Sequence, residues 1–140
     1  MVTDGNGVPL AVEVTGGQAH ESTQVEAVMN QIAIPQPVGR PRKRPTRLAG
    51  DKAYRSKGVR DWLAKYGIKP VIPSKKNEQQ EKPGPKPQFD REAYKRRSII
   101  ENCVGWLKEC RRIATRFEKL AVNYLGMLKL AMIERYLRLL

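Results

Sequence analysis

The stretch from Tyr94 to Lys108 limits what this chain can fold into more than any other. Ile100, Val104 and Leu107 recur at helical spacing, and Cys103 widens the apolar stripe they make. Tyr94, Arg97, Glu101 and Lys108 step along a neighbouring face at intervals of three, four and seven. One carboxylate therefore sits between two cations and a phenol, beside a face that has to be covered by another layer. Spacing alone leaves two readings open: an ion-pair ladder on a solvated face, or a site.

The rest of the chain supplies the layers. Val2–Thr3 and Val8–Thr15 read as a hairpin around the turn Asp4-Gly5-Asn6-Gly7, whose Gly and Asn tolerate positive φ. After a loop at 16–21, a helix is expected from Glu21 or Ser22, with Val25, Val28, Met29 and Ile32 as its apolar face and Pro35 and Pro37 ending it. Thr46–Gly50 reads as a short strand with Asp51 at its C-terminal end. Ser56 caps a helix to about Tyr66 whose apolar face is Val59, Trp62 and Leu63, and Gly67 stops it. Ile68–Ile72 is the next strand, near an edge because Pro70 has no ladder N–H. A polar, Pro-rich stretch at about 75–89 reads as a mobile loop. Asp90 caps the Tyr94–Lys108 helix, which should run to Cys110 or Arg112. A last helix opens at Thr115 or Lys119, with Leu120, Tyr124, Leu128, Ala131 and Tyr136 facing the core.

Charge points to the partner. The 140 residues carry a formal net charge of +13, a large imbalance that suits a polyanion. Arg40 to Arg47 is a basic run, and Arg42, Lys43 and Arg44 are its candidate phosphate contacts. A localisation signal and a plain solvated connector are the other readings. Cys103 and Cys110 lie seven apart on one expected helix, so ~10 Å separates their Cα atoms and a disulfide is not expected. With no CxxC pair and one histidine, His20, in a loop, a zinc site is not expected either. No run reaches the ~18 apolar residues of a membrane span, and the start lacks a signal-peptide pattern. No membrane is expected, and the protein should be cytoplasmic.

Tyr94, Arg97, Glu101 and Lys108, at their fixed intervals, resemble the Y-R-E-K signature of bacterial insertion-sequence transposases of the DDE superfamily, most nearly the insertion-sequence-five type. Leu48-Ala49-Gly50-Asp51-Lys52-Ala53-Tyr54 resembles the strand end that carries the middle acid of that family's Asp-Asp-Glu triad. Arg111 to Lys119 is similar to the segment that follows its Glu helix.

The resemblance implies an α/β, ribonuclease-H-like fold, a mixed sheet with flanking helices. It implies that residues 1–140 are the C-terminal portion of the catalytic domain, truncated so that the first strand and its Asp are missing. It makes Asp51 and Glu101 the catalytic, metal-holding carboxylates for Mg²⁺ or Mn²⁺, with affinity weakened by the lost third acid. Tyr94, Arg97 and Lys108 would serve DNA phosphates. The implied function is DNA transposition by metal-dependent strand cleavage and transfer, weak or absent in this chain alone. Transposon ends and target DNA would be the partners, with a homodimer on DNA and association with the nucleoid. The alternative is a non-catalytic basic DNA-binding remnant that regulates intact transposase.

Overall fold

The computed structural model describes residues 1–73 and 89–139, so the loop expected at about 75–89 lies almost wholly outside the described residues. Strands β1 (Val2–Thr3) and β2 (Pro9–Ala11) pair antiparallel. Asp4 shapes the turn between them: its Oδ1 accepts from the N–H groups of Asn6 at 2.8 Å and Val8 at 2.9 Å. Gly7 has φ of +83°, and a Cβ there would come within 2.9 Å of the Ile99 side chain. A larger residue would be strained in conformation and would push the turn off its neighbour. The second strand stops at Ala11 rather than Thr15. Its partner is two residues long, with Val2 opposite Ala11, so residues 12–15 have no strand beside them.

Loop residue His20 proves to be a local brace: its Nδ1 accepts from the Ser22 N–H at 3.3 Å and contacts Ser22 Oγ at 2.8 Å. It starts a 3-10 turn, Glu21–Gln24, which leads into helix α1 (Val25–Asn30). The helix ends before the prolines expected to stop it.

A β-α-β unit follows. Strand β3 (Arg47–Ala49), a 3-10 turn (Lys52–Arg55), helix α2 (Lys57–Lys65) and strand β4 (Lys69–Val71) bring β3 and β4 side by side in parallel. Both caps of α2 are as the sequence suggests. Ser56 Oγ accepts from Val59 N–H at 3.4 Å. At the other end Gly67 takes φ of +63°, while its N–H and that of Ile68 donate back to the carbonyls of Ala64 and Leu63. This paired back-bonding satisfies helix-end carbonyls and requires a left-handed residue, hence glycine.

The Tyr94–Lys108 stretch is two helices, α3 (Arg91–Lys95) and α4 (Ser98–Glu109), rather than one. Asp90 Oδ1 caps α3 through Ala93 N–H at 2.9 Å. At the join, the N–H groups of Arg97, Ile99 and Ile100 donate to carbonyls three residues back, at 3.0, 3.1 and 3.1 Å. Such bonds tighten the turn to about three residues, so Tyr94 is not on the face that ideal helical spacing gives it. Cys110 is extended and breaks the chain before α5 (Arg111–Thr115); Arg116, at φ +50°, ends α5. Helix α6 (Ala121–Leu137) starts later than expected. Leu120 therefore lies outside it and is 60% exposed, while Leu128, Ala131 and Met132 are buried. Tyr136 remains partly exposed, and its hydroxyl donates to the Pro9 carbonyl.

The core has two parts, one on each face of the hairpin. Ala11, Val28, Met29, Ile32, Val59, Trp62, Leu63 and Ile68 form one, joining α1 and α2 to the strands. Val12, Leu107, Ile113, Leu128, Ala131 and Met132 form the other, under α4, α5 and α6. Successive residues Ala11 and Val12 point to opposite cores, as strand geometry requires. Trp62 belongs to the first core. Trp106 packs against the second, with the Arg135 guanidinium 5.4 Å from its ring centre. The architecture is thus mixed α/β with helices on both sides. Among the described residues the expected single sheet is instead two pairs, β1–β2 and β3–β4, with no ladder between β1 and β3. Cys103 is buried and Cys110 half-buried, both as free thiols. Among the described residues, no helix is long and apolar enough to cross a membrane.

Candidate functional site

Asp51 follows β3 after one residue, Gly50. Its Oδ1 accepts from Ala53 N–H at 2.8 Å, so the carboxylate caps the 3-10 turn while standing at the strand end. Gly50 lets the Tyr54 ring lie close, at 3.3 Å from where a Cβ would be. Glu101 projects from the first turn of α4, and its Oε1 pairs with Arg97 Nη2 at 3.1 Å. The Glu101 side chain is 62% exposed and that of Arg97 33%. Fifty positions apart in sequence, Asp51 and Glu101 line one cleft of about 1040 Å³, together with Arg97 and Lys108.

The cleft also holds groups that the sequence reading missed. Arg116 and Lys119 add two cations to its wall, and Glu13 and Glu118 two acids. Those acids are engaged elsewhere: Glu13 accepts from the Gln31 amide, and Glu118 Oε1 accepts from Leu120 N–H and Asn123 Nδ2. A signal for the two cations exists in the sequence: both lie in Arg111 to Lys119, the segment similar to the one that follows the family's Glu helix.

Tyr94 does not line the cleft. Its ring packs against Phe89 at 5.3 Å between centres and lies 5.2 Å beneath the Arg97 guanidinium. The basic run splits too. Arg42 and Arg44 border a second cavity of about 740 Å³, and Lys43 is exposed on the surface. Arg44 is tied to the protein itself: its guanidinium donates to the Met29 carbonyl at 3.1 Å and Asn30 Oδ1 at 2.6 Å, and lies 4.5 Å from the Tyr66 ring centre.

Two groups outside the cleft lining have displaced titrations. The Ala93 N–H holds the Asp90 carboxylate below the usual value, and Arg47, paired with it at 2.8 Å, adds to the effect. That pair fastens the start of α3 to β3. Burial pushes the Cys103 thiol up.

Among the described residues, no three His, Cys, Asp or Glu side chains converge as a metal-binding group. Asp51 and Glu101 both border the cleft, and carboxylate oxygens are the ligands that hard divalent cations prefer.

Comparison with known proteins bears directly on this arrangement. Residues 1–133 match the model of a family described as the transposase DDE domain. The chain is 34% identical over 134 residues to a Burkholderia cepacia protein whose name is "Putative transposase for insertion sequence element IS402". The match takes in 93% of this chain and 57% of that protein, so the chain spans somewhat over half the length of the curated relative. No solved structure matches. The family match over nearly the whole chain, together with that relative, establishes that this protein belongs to the insertion-sequence transposases with a DDE domain.

Proposed function

We propose that this chain acts in DNA transposition, as part of the catalytic domain of a Y-R-E-K insertion-sequence transposase with a ribonuclease-H-like plan. The observation that supports the reading is that Asp51, beyond β3, borders the same cleft as Arg97, Glu101 and Lys108 of the α4 region. Asp51 and Glu101 would hold Mg²⁺ or Mn²⁺, and a divalent cation bound there would supply Lewis-acid help to displacement at phosphorus. Arg97 and Lys108 hold the DNA phosphates beside the carboxylates. Tyr94 positions Arg97 by lying under its guanidinium. Arg42 and Lys43 continue the phosphate track, while Arg44 secures their loop to α1 and α2. The partners are transposon ends and target DNA, met as a homodimer in the cytoplasm, on the nucleoid.

Incubating the chain with a transposon-end duplex and Mg²⁺ tests this. Nicked or joined product that Asp51→Asn abolishes is the expected result. DNA binding that weakens with salt, with no product at any metal concentration, would instead make the chain a non-catalytic DNA-binding regulator of intact transposase.

A further inference from the structure

Helix α6 has two apolar faces, and the described chain covers one of them. Leu128, Ala131 and Met132 are buried in the second core. Val122, Leu130, Ile133 and Leu137 are 72%, 68%, 51% and 65% exposed. With Gly126 they follow one another at intervals of four, four, three and four, close to the helical repeat, so they make one stripe. At about 100° per residue the stripe centres roughly 160° from the buried face. It therefore looks straight out of the molecule. A helix that is apolar on opposite sides is built for two neighbours.

Gly126 lies in the middle of this stripe. A glycine inside a helix weakens it relative to alanine, and nothing in the chain requires one here, since a Cβ would meet no atom within 4 Å. A second backbone resting on the stripe gives the glycine a reason, because the missing side chain allows close approach.

The flanks of the stripe say what kind of neighbour fits. Lys129 is exposed on one flank and has no ion pair among the described residues. Glu134 is on the other. Its Oε1 takes both contacts from Arg138, at 3.1 and 2.7 Å, and its Oε2 has no partner among the described residues. In a parallel pair with a two-fold axis along the helices, each flank meets the opposite flank of the other copy. Lys129 then faces Glu134 of the second copy twice, as flanking charges do in coiled coils. In an antiparallel pair each flank meets itself, lysine against lysine and glutamate against glutamate. The two bodies, on the far sides of their helices, do not collide in the parallel arrangement.

We propose that this face of α6 binds α6 of a second copy of the chain, side by side and parallel. Leu130, Ile133 and Leu137 pack across the two-fold axis, Gly126 marks the closest approach, and two Lys129–Glu134 pairs run along the edges. The seam from Val122 to Leu137 is about 22 Å long, which buries less than the ~800 Å² per partner of a standard interface. The dimer is therefore weak in solution and gains when two copies are held together on one DNA. The inference rests on the homodimer proposed above and supplies its surface and direction.

Sedimentation equilibrium of the full chain without DNA, in about 0.3 M salt to screen its net charge, tests this. A monomer–dimer equilibrium with a dissociation constant of roughly 10–100 µM is expected. Leu130→Gln should raise that constant by about tenfold or more with an unchanged melting temperature, because the side chain is exposed in the single chain. Lys129→Glu and Glu134→Lys should each raise it about threefold, and the double variant should return to within about twofold of the parent. A chain that stays monomeric to about 0.5 mM overturns the proposal, as does a dimer untouched by Leu130→Gln. A dimer broken by Leu130→Gln but indifferent to the charge reversals overturns the parallel arrangement. A monomer that instead captures the unmatched portion of the Burkholderia cepacia relative, and loses it in Leu130→Gln, overturns it in favour of another part of a longer protein. With no DNA or metal present, each of these results leaves the transposition reading standing, and a chain inert on DNA leaves the dimer standing.

Discussion

Arg44 and Arg97 look alike in the sequence and each lies over a tyrosine ring, but their surroundings give them different work. Arg44 has its guanidinium bound to a main-chain carbonyl and an amide oxygen of α1, with Tyr66 and Trp62 against its face. Arg97 has one ionic partner, Glu101, at the wall of an open cleft. An arginine held by neutral groups inside the fold is a tie between elements. An arginine paired with an exposed carboxylate can exchange that partner for a phosphate, because an exposed pair is worth only ~0.2–1 kcal/mol. Basic charge says that an anion is welcome; the partners decide which cations are free to meet it.

The sharpest break of this comparison is catalytic. Glu101→Gln should lower DNA strand-transfer yield by more than about a hundredfold, beyond the 10–100-fold typical of losing a supporting group around a metal. Its melting temperature should stay within about 2 °C of the parent, since only an exposed pair is lost. An equally inactive but strongly destabilised variant would put Glu101 with the scaffold. Arg44→Ala should do the reverse. It should cost about 2 kcal/mol, the scale of hydrogen bonds to a charged group, and lower the melting temperature by about 4–8 °C. DNA binding per folded molecule should be nearly unchanged, as a gel-shift titration at constant salt would read.

The Arg47–Asp90 tie sharpens the same contrast through pH. The Asp90 carboxylate is held below its usual value by Ala93 N–H and Arg47, so the folded state binds its proton less readily than the unfolded chain. Its stabilising contribution is present above the ordinary aspartate range and lost as pH falls through the depressed value. Asp90→Asn should therefore flatten the acid limb of the melting-temperature profile, with the two proteins converging at low pH. The smallest effect belongs to a single surface cation. Lys43→Ala should reduce the slope of log affinity for DNA against log salt by about one, measured by fluorescence anisotropy across several salt concentrations.

What was legible in the sequence was local. Ser56, Gly67 and Asp90 announce their caps because each satisfies backbone groups within four residues. Val59, Trp62 and Leu63 declare the buried face of α2 by period alone. The tightened join at Arg96–Arg97 was not legible, since both residues are ordinary helix formers and the shift arises from bonding three residues back. It is the reason that the spacing put Tyr94 with Glu101 whereas the fold puts it behind Arg97. Leu120 misled because apolar spacing continues past the true start of α6. The division into two sheets lay beyond reach for another reason: which strands pair depends on contacts between residues far apart in sequence. That Asp51 and Glu101 border one cleft is also a long-range fact, and spacing along the chain carries no signal of it.

The central claim is that those two carboxylates form one site. Titrating Mn²⁺ into the labelled chain and following paramagnetic line broadening addresses it directly. The account predicts that amides beside Asp51 and beside Glu101 broaden together at the same metal concentration, and that Glu101→Gln weakens the broadening at both. Broadening confined to one acid, or unchanged around Asp51 in the Glu101→Gln variant, would contradict it.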